Sequence, residues 1–203
     1  AFRENQDIHR STASKVFGVA FDDVTDLQRR NAKAVNFGIV YGISAFGLSQ
    51  DLNIPQKEAQ GFIDSYFATY PKIKEFLDQT VAQAKECGFT RTLFGRIRPI
   101  PELSSSNFMQ RQFGERVAMN APIQGTAADI IKIAMIRVHD RLIREGYKSR
   151  LILQVHDELL IETAEPEKDA VIALLEEEMR QAADLKVELA VGTECGYNWY
   201  DAH

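Results

Sequence analysis

The chain has few of the residues that stabilise disulfide-rich domains or bind structural zinc. Its 203 residues include only two cysteines, Cys87 and Cys195, which are far apart and have no histidines at zinc-finger spacing. Neither a disulfide framework nor a zinc site is therefore indicated. No apolar run is long enough to span a membrane, and the first residues, AFRENQDIHR, lack the organisation of a signal peptide. These absences predict a soluble, cytoplasmic protein without a membrane partner.

Three motifs that mark common enzyme classes are also missing. The sequence has no GxxxxGKS or GxxxxGKT phosphate loop, no GxGxxG following a strand and no GxSxG nucleophile elbow. The enzyme classes that depend on these motifs are therefore not favoured.

The net charge of −5 at pH 7 conceals an uneven distribution. Residues 162–184 contain eight acidic and two basic side chains, a net of −6, which leaves +1 for the rest of the chain. The basic residues elsewhere include two clusters: Arg29, Arg30 and Lys33, and then Arg91, Arg96 and Arg98. Such clusters suit a phosphate ligand, although a solvated helix face gives the same pattern.

Capping residues and apolar periodicity predict an α+β protein that is mostly helical. In the first half, helices are expected over 7–17, 25–41, 56–66 and 72–85, followed by a turn at Gly95 between short extended runs. The polar stretch 104–107 predicts a boundary between two subdomains, 1–107 and 108–203.

The second half is expected to mix helices and strands. Helices are predicted over 110–121 and 125–145, separated by a break at Pro122. The runs RLILQV and ELLIET predict an antiparallel hairpin over about 150–163, before a helix over 167–183 and a short strand, VELAV, at 187–191.

The helix predicted over 25–41 carries two different faces. One stripe at four-residue spacing combines two cations with two aromatic rings: Arg29, Lys33, Phe37 and Tyr41. The other stripe is apolar, with Ala32, Val35 and Ile39, and would extend to Ile43 and Phe46 if the helix continued. Paired cations can neutralise a polyphosphate, and a ring one turn further can pack on a sugar or base. A solvated amphipathic helix is the alternative interpretation.

The predicted hairpin places polar residues at its tip. In LILQVHDELLIE, two apolar runs flank His156, Asp157 and Glu158. A carboxylate at this position is exposed and rigidly held, although aspartate is also a common turn former.

These two segments resemble bacterial, DNA polymerase I-like members of the family-A DNA polymerases. RRNAKAVNFGIVYG is similar to their motif B, on the fingers helix, here about 26–42, and QVHDEL to their motif C, on the palm hairpin. The resemblance implies a helical fingers subdomain at 1–107 and part of a palm at 108–203. It implies that Arg29, Lys33 and His9 contact the triphosphate of a deoxynucleotide, with Phe37 on its sugar and base. Tyr41 is also implied in the nucleotide site.

The resemblance also assigns roles in catalysis and DNA binding. Asp157 would bind catalytic metal, two Mg²⁺ ions in a complete enzyme, with Glu158 in support and Lys33 assisting the pyrophosphate. Donors in the primer-template contact would be able to check base-pair shape in the minor groove. The residues implied in that contact are Tyr41, Gly42, Arg116, Asn120, Gln124 and His156.

The family's motif A, with a second metal-binding aspartate, has no counterpart in this sequence. We therefore expect a fragment that depends on missing N-terminal polymerase segments and does not synthesise DNA efficiently alone. A fragment of a phage-type single-subunit RNA polymerase and a nucleotide- or DNA-binding module without catalysis are the alternatives.

Overall fold

The first half of the chain folds into five helices whose starts are set largely by capping side chains. The computed structural model describes residues 1–4 and 6–202. Asp7 accepts hydrogen bonds from the His9 and Arg10 amides at the first helix, and Thr25 forms a capping box with Gln28 at the second. The helices are α1 (Ile8–Phe17), α2 (Asp26–Val40), α3 (Ala45–Leu52), α4 (Gln56–Thr69) and α5 (Pro71–Cys87).

Four of these helices match the predicted ones to within three residues, whereas α3 was not predicted. The apolar stripe of α2 does not continue as a single helix, because α2 ends at Val40 and Gly42 is left-handed, with φ of 67°. Phe46 consequently lies on α3, where its side chain is 62% exposed rather than part of the core.

A short hairpin and a long helix follow. Strand β1 (Phe89–Arg91) pairs antiparallel with β2 (Ile97–Pro99), and Gly95 has the left-handed conformation expected at the turn. After a 3₁₀ turn at Pro101–Ser104, helix α6 runs from Phe108 to Arg144.

The predicted break at Pro122 is wrong, since α6 passes through this residue without interruption. A proline in a helix removes one hydrogen bond and costs about 3 kcal/mol. Contacts on both sides offset this cost: Ala118 is completely buried, and Arg96 donates to the carbonyl oxygen of Gly125 at 2.9 Å. Tertiary packing therefore overrides the local signal.

The last part of the chain contains a second hairpin and one more helix. Strand β3 (Arg150–Val155) pairs antiparallel with β4 (Glu158–Glu162), as predicted, and helix α7 spans Lys168–Arg180. The strand predicted at 187–191 is wrong. Among the described residues, β3 and β4 pair only with each other, and a β-rich segment without a backbone partner forms no strand. Glu188 in this segment instead forms an ion pair with Arg180 of α7 at 3.3 Å.

Contacts divide the chain into two units, Ala1–Gly125 and Thr126–His203, with the division inside α6. The first has its main core on α2, α3 and α4, around Val35, Leu48 and Ile63. The core of the second joins α6, β4 and α7 around Val138, Leu159 and Leu174. This division does not test the predicted functional subdomains, 1–107 and 108–203, which stay a prediction. In the described part of the chain, no helix is both long and apolar enough to cross a membrane.

A carboxylate fixes the start of β3 against the start of α7 within the second unit. Glu167 accepts hydrogen bonds from the amides of Lys148 and Ser149, both at 3.0 Å, and from the Ser149 hydroxyl at 2.6 Å. These bonds, with the Ser149 hydroxyl first, hold the pKa of Glu167 below its ordinary value of 4.5.

The variant Glu167→Gln is expected to destabilise the second unit in a pH-dependent way. Because the pKa of Glu167 is lower in the folded than in the unfolded chain, its ionised form stabilises the fold. This stabilisation is fully present above pH 4.5 and is lost as the pH falls through the pKa of the folded state. The difference in free energy of unfolding between the wild type and Glu167→Gln should therefore be largest near neutral pH and become smaller in acid. Urea unfolding followed by hydrogen exchange of the Ser149 amide measures this difference. Glu165→Gln, in the same turn, is the control, and an equal loss there would contradict the assignment.

Candidate functional site

The predicted polar stripe lies on the outer surface of α2. Phe37 and Tyr41 are each 50% exposed, and the side chain of Arg29 is 40% exposed. On the other side of the helix, Val35 and Ile39 are buried in the core. The two-faced helix predicted from the spacing is therefore present, although Tyr41 stands just beyond the last helical residue.

Helix α1 brings His9 to this stripe. The rings of His9 and Phe37 have centroids 5.7 Å apart, and the Lys33 ammonium lies 6.0 Å from the Phe37 ring centroid. The Asp7 carboxylate, while capping α1, also accepts a hydrogen bond from Arg29 Nε at 2.6 Å. Four of the predicted nucleotide-binding residues therefore share one continuous surface of α1 and α2.

The charge states of this surface follow from its contacts. Burial lowers the pKa of His9 below 6.5, and the nearby Arg29 and Lys33 lower it further against the opposing effect of Asp7. Hydrogen bonds from the Arg10 amide and from Arg29 lower the pKa of Asp7. Near neutral pH, His9 is therefore a neutral imidazole and Asp7 a carboxylate.

One residue of this surface, Asn36, was not predicted. Its amide nitrogen lies 2.9 Å from His9 Nδ1, and its amide oxygen accepts a hydrogen bond from the Thr12 hydroxyl at 3.2 Å. A signal was available in the sequence, because Asn36 lies three residues after Lys33 and therefore on the same face of the helix. An asparagine in a helix interior is also a poor helix former and invites a functional explanation.

The end of α2 contacts the N-terminal part of α6. The amide of Gln124 donates to the Tyr41 hydroxyl at 3.3 Å, and Asn120 makes a long 3.5 Å contact with the Val40 carbonyl oxygen. Gly42 lies against Arg116. Five of the six residues predicted to contact primer or template are thus grouped within the first unit: Tyr41, Gly42, Arg116, Asn120 and Gln124.

A cleft of about 480 Å³ opens at this junction. Phe37, Tyr41, Gly42 and Arg116 line it together with residues of α3, including Gly47. Its walls combine aromatic surface with the Arg116 guanidinium and the Asp51 carboxylate, so they offer aromatic rings on which a planar base can pack.

The sixth predicted contact residue, His156, lies in the second unit at the tip of the β3–β4 hairpin. Val155 pairs with Glu158, so His156 and Asp157 form a two-residue turn. His156 is left-handed, with φ of 50°, and its carbonyl oxygen accepts a hydrogen bond from the Gln154 side chain at 2.7 Å. His156, Asp157 and Glu158 are all exposed, as the sequence predicts for the tip.

The described residues do not form a complete metal site. No group of three or more histidine, cysteine, aspartate or glutamate side chains in this part of the chain could hold a metal ion. Mg²⁺ takes oxygen ligands in octahedral geometry. Asp157 and the adjacent Glu158 each present an exposed carboxylate oxygen donor of this kind.

Comparison with known proteins places the chain in a family. A model of DNA polymerase family A matches residues 1–201. The DNA polymerase I of Caldicellulosiruptor bescii is 54% identical over 201 residues, which are 99% of this chain and 24% of that protein. The DNA polymerase I of Geobacillus stearothermophilus is 52% identical over 202 residues, 100% of this chain and 23% of that protein. The chain thus spans about a quarter of the length of these relatives.

Among solved structures, the chain is similar to the POL domain of Pol1 from M. smegmatis in complex with DNA primer-template and dNTP. The TM-score is 0.93 at 44% identity, covering 100% of this chain and 36% of that one. The fold is therefore that of part of a nucleic-acid polymerase domain. Because the family model matches nearly the whole sequence, the chain belongs to DNA polymerase family A. This confirms the family predicted from RRNAKAVNFGIVYG and QVHDEL.

Two glycine variants test how closely α2 and α6 approach. Gly42 and Gly18 have nearly the same left-handed backbone, with φ of 67° and 66°, so alanine costs about 1–2 kcal/mol of strain at either. A Cβ at Gly42 would lie 3.0 Å from Arg116 Cγ and 3.2 Å from Met119 Sδ, whereas nothing lies within 4 Å at Gly18. We expect Gly42→Ala to lower the free energy of unfolding in urea more than Gly18→Ala. Equal losses would show that Arg116 and Met119 move aside freely.

Proposed function

We propose that this chain supplies the fingers and part of the palm of an enzyme for template-directed DNA synthesis. The reaction is the transfer of a deoxynucleotide to the 3′-hydroxyl of a primer, in the bacterial cytoplasm. The observation that supports it most strongly is the surface of α1 and α2, on which His9, Arg29, Lys33 and Phe37 converge. In this proposal the fingers are residues 1–107 and the palm is 108–203.

The surface of α1 and α2 is assigned to the incoming deoxynucleoside triphosphate. Arg29 and Lys33 neutralise the phosphates, and His9 donates a hydrogen bond to them. Phe37 packs on the sugar and base, and Tyr41 forms the far end of the site. Arg29 can serve here because its bond to Asp7 uses Nε and leaves two further guanidinium nitrogens as donors.

The junction of α2 and α6 is assigned to primer-template DNA. Base pairs of every sequence present acceptors at similar places in the minor groove, so a polymerase that ignores sequence needs donors there. Arg116, Asn120 and Gln124 supply such donors from α6, and His156 supplies one from the hairpin. Tyr41 and Gly42 border the templating base.

The hairpin tip is assigned to catalysis. Members of this family depend on metal ions, and we propose that two Mg²⁺ ions bind partly through Asp157, with Glu158 in support. When bound, such ions activate the primer hydroxyl and stabilise the leaving pyrophosphate. Lys33 is proposed to donate a proton or positive charge to that pyrophosphate.

The isolated chain is proposed to bind without catalysing efficient synthesis. Among the described residues, Asp157 and Glu158 do not belong to a group of three or more ligands that could hold a metal ion, and phosphoryl-transfer chemistry tolerates little misplacement of its groups. Nucleotide or DNA binding without chemistry is thus the second candidate function, and it applies to the chain on its own.

The nucleotide assignment predicts a difference between two lysine variants. Lys33→Ala should weaken dATP binding about tenfold or more, because it removes a cation aimed at the phosphates. Lys15→Ala is the control, since Lys15 is an exposed lysine of α1 that lies over the Tyr70 ring instead. Calorimetric titration of each variant measures the difference. Equal weakening by both would show that only the general charge of the unit attracts the nucleotide.

The polymerase assignment is tested in a chimera. This chain replaces the matching 201 residues of the Caldicellulosiruptor bescii DNA polymerase I, and primer extension is followed with Mg²⁺ and four deoxynucleotides. The chimera is expected to extend the primer, and Asp157→Ala is expected to abolish extension. Asp169→Ala removes another exposed carboxylate, on α7, and should leave extension intact.

Two results would contradict these expectations. Extension retained in the Asp157→Ala chimera would remove Asp157 from the catalytic site. Extension by the isolated chain, lost on Asp157→Ala, would show that this chain completes the metal site by itself.

A further inference from the structure

A short chain of hydrogen bonds connects the buried face of α1 to the imidazole of His9. Thr12, which is only 1% exposed, donates from its hydroxyl to the amide oxygen of Asn36 at 3.2 Å. The amide nitrogen of Asn36 lies 2.9 Å from His9 Nδ1. Both polar groups of the Asn36 side chain are therefore used, one toward each residue of α1.

The direction of these bonds determines which nitrogen of His9 carries the proton. In the structure the Asn36 amide oxygen faces the Thr12 hydroxyl and accepts its hydrogen bond, and the amide nitrogen faces His9. An amide nitrogen only donates, and His9 Nδ1 must then accept. The single proton of the neutral imidazole consequently resides on Nε2.

We propose that Asn36 is a positioning residue that holds His9 as the neutral Nε2–H tautomer, so that this N–H donates to a phosphate oxygen of the incoming nucleotide. The proposal rests on the function proposed above for the surface of α1 and α2. In this proposal the phosphates are bound in two ways. Arg29 and Lys33 provide positive charge, and His9 provides a neutral hydrogen-bond donor with a fixed direction.

The surroundings of His9 agree with this arrangement. The charged groups near its ring are Asp7 on its own helix and Arg29 and Lys33 on α2, and the Phe37 ring packs against it. Two neighbouring cations disfavour a positive imidazolium. A proton added at Nδ1 would also face the NH₂ group of Asn36 and break the bond that positions the ring.

The test reads the ring nitrogens directly, by ¹⁵N NMR of the whole labelled chain, with His9→Gln to assign the resonances. In the wild type, Nδ1 is expected to resonate as an unprotonated nitrogen and Nε2 as a protonated one. Asn36→Asp places an acceptor at Nδ1, so the proton should appear there and the His9 pKa should rise by about one unit or more. Asn31→Asp adds the same charge on a different face of α2 and should shift that pKa much less.

A second variant separates orientation from structural damage. Thr12→Val removes the hydroxyl that is bonded to the Asn36 amide oxygen, so the amide is held less firmly and the share of the Nε2–H tautomer of His9 should fall while the fold is kept. Finding Nδ1 protonated in the wild type, or the same tautomer and pKa in Asn36→Asp, would overturn the proposal.

Nucleotide binding then separates this proposal from the one on which it rests. Asn36→Leu should weaken dATP binding about threefold to tenfold, the effect of one hydrogen bond, and Asn31→Leu should change it less than about twofold. An unchanged affinity in Asn36→Leu would remove Asn36 from nucleotide positioning. If the wild-type chain shows the expected tautomer but binds no dATP, the assignment of this surface to nucleotides is overturned while the role of Asn36 toward His9 is kept.

Discussion

One carboxylate, that of Asp7, joins the two helices on which the candidate nucleotide surface is built. It accepts hydrogen bonds from two amides at the start of α1 and a third from Arg29 on the first turns of α2. This fixes where α1 begins against α2, and the later contacts depend on that register: His9 meets Phe37, and Thr12 meets Asn36. Because the ion pair is partly exposed, it contributes little free energy. The stability of this contact comes from the buried residues Ala13, Val24 and Ala32, which pack together. The ion pair determines the register in which α1 lies against α2.

The features that local chemistry determines could be predicted from the sequence. The spacing of Arg29, Lys33 and Phe37 requires only the helical period, and the β3–β4 hairpin requires only two β-rich runs around a turn. Each signal lies within a few neighbouring residues, so no knowledge of distant contacts is needed. The family follows from the same segments, because the motifs that carry its resemblance are local as well.

The features that depend on distant contacts could not be predicted in this way. Pro122 breaks an isolated helix, but α6 is held on both sides by packing and by Arg96, which comes from the β1–β2 hairpin. The segment 187–191 has the composition of a strand and lacks a partner within the described residues. Asn36 has partners for its side chain only because Thr12 and His9 of α1 lie beside it. In each case the deciding neighbour is remote in sequence.

The charge of the chain illustrates the same distinction between average and local properties. A net charge of −5 opposes an anionic ligand at long range, but surface charges further apart than about 8–10 Å are largely screened at physiological salt. Much of the negative charge lies on and around α7, where Arg141 compensates part of it through bonds to Glu145, Glu177 and Glu178. The charges closest to a triphosphate at α2 would be those of Arg29, Lys33 and Asp7, and the Asp7 carboxylate is already paired with Arg29.

Recognition and catalysis place different demands on such a chain. A triphosphate can be held by donors and cations from two adjacent helices, and in this proposal both helices lie within one unit that has buried core clusters of its own. A pair of Mg²⁺ ions needs several oxygen ligands that converge on each ion, and two neighbouring exposed carboxylates, those of Asp157 and Glu158, are fewer than that requires. The left-handed His156 and its bond from Gln154 hold the tip in shape, which provides placement for Asp157 but no additional ligand. The proposed nucleotide binding therefore needs only residues of this chain, whereas the proposed two-metal catalysis needs oxygen ligands beyond Asp157 and Glu158.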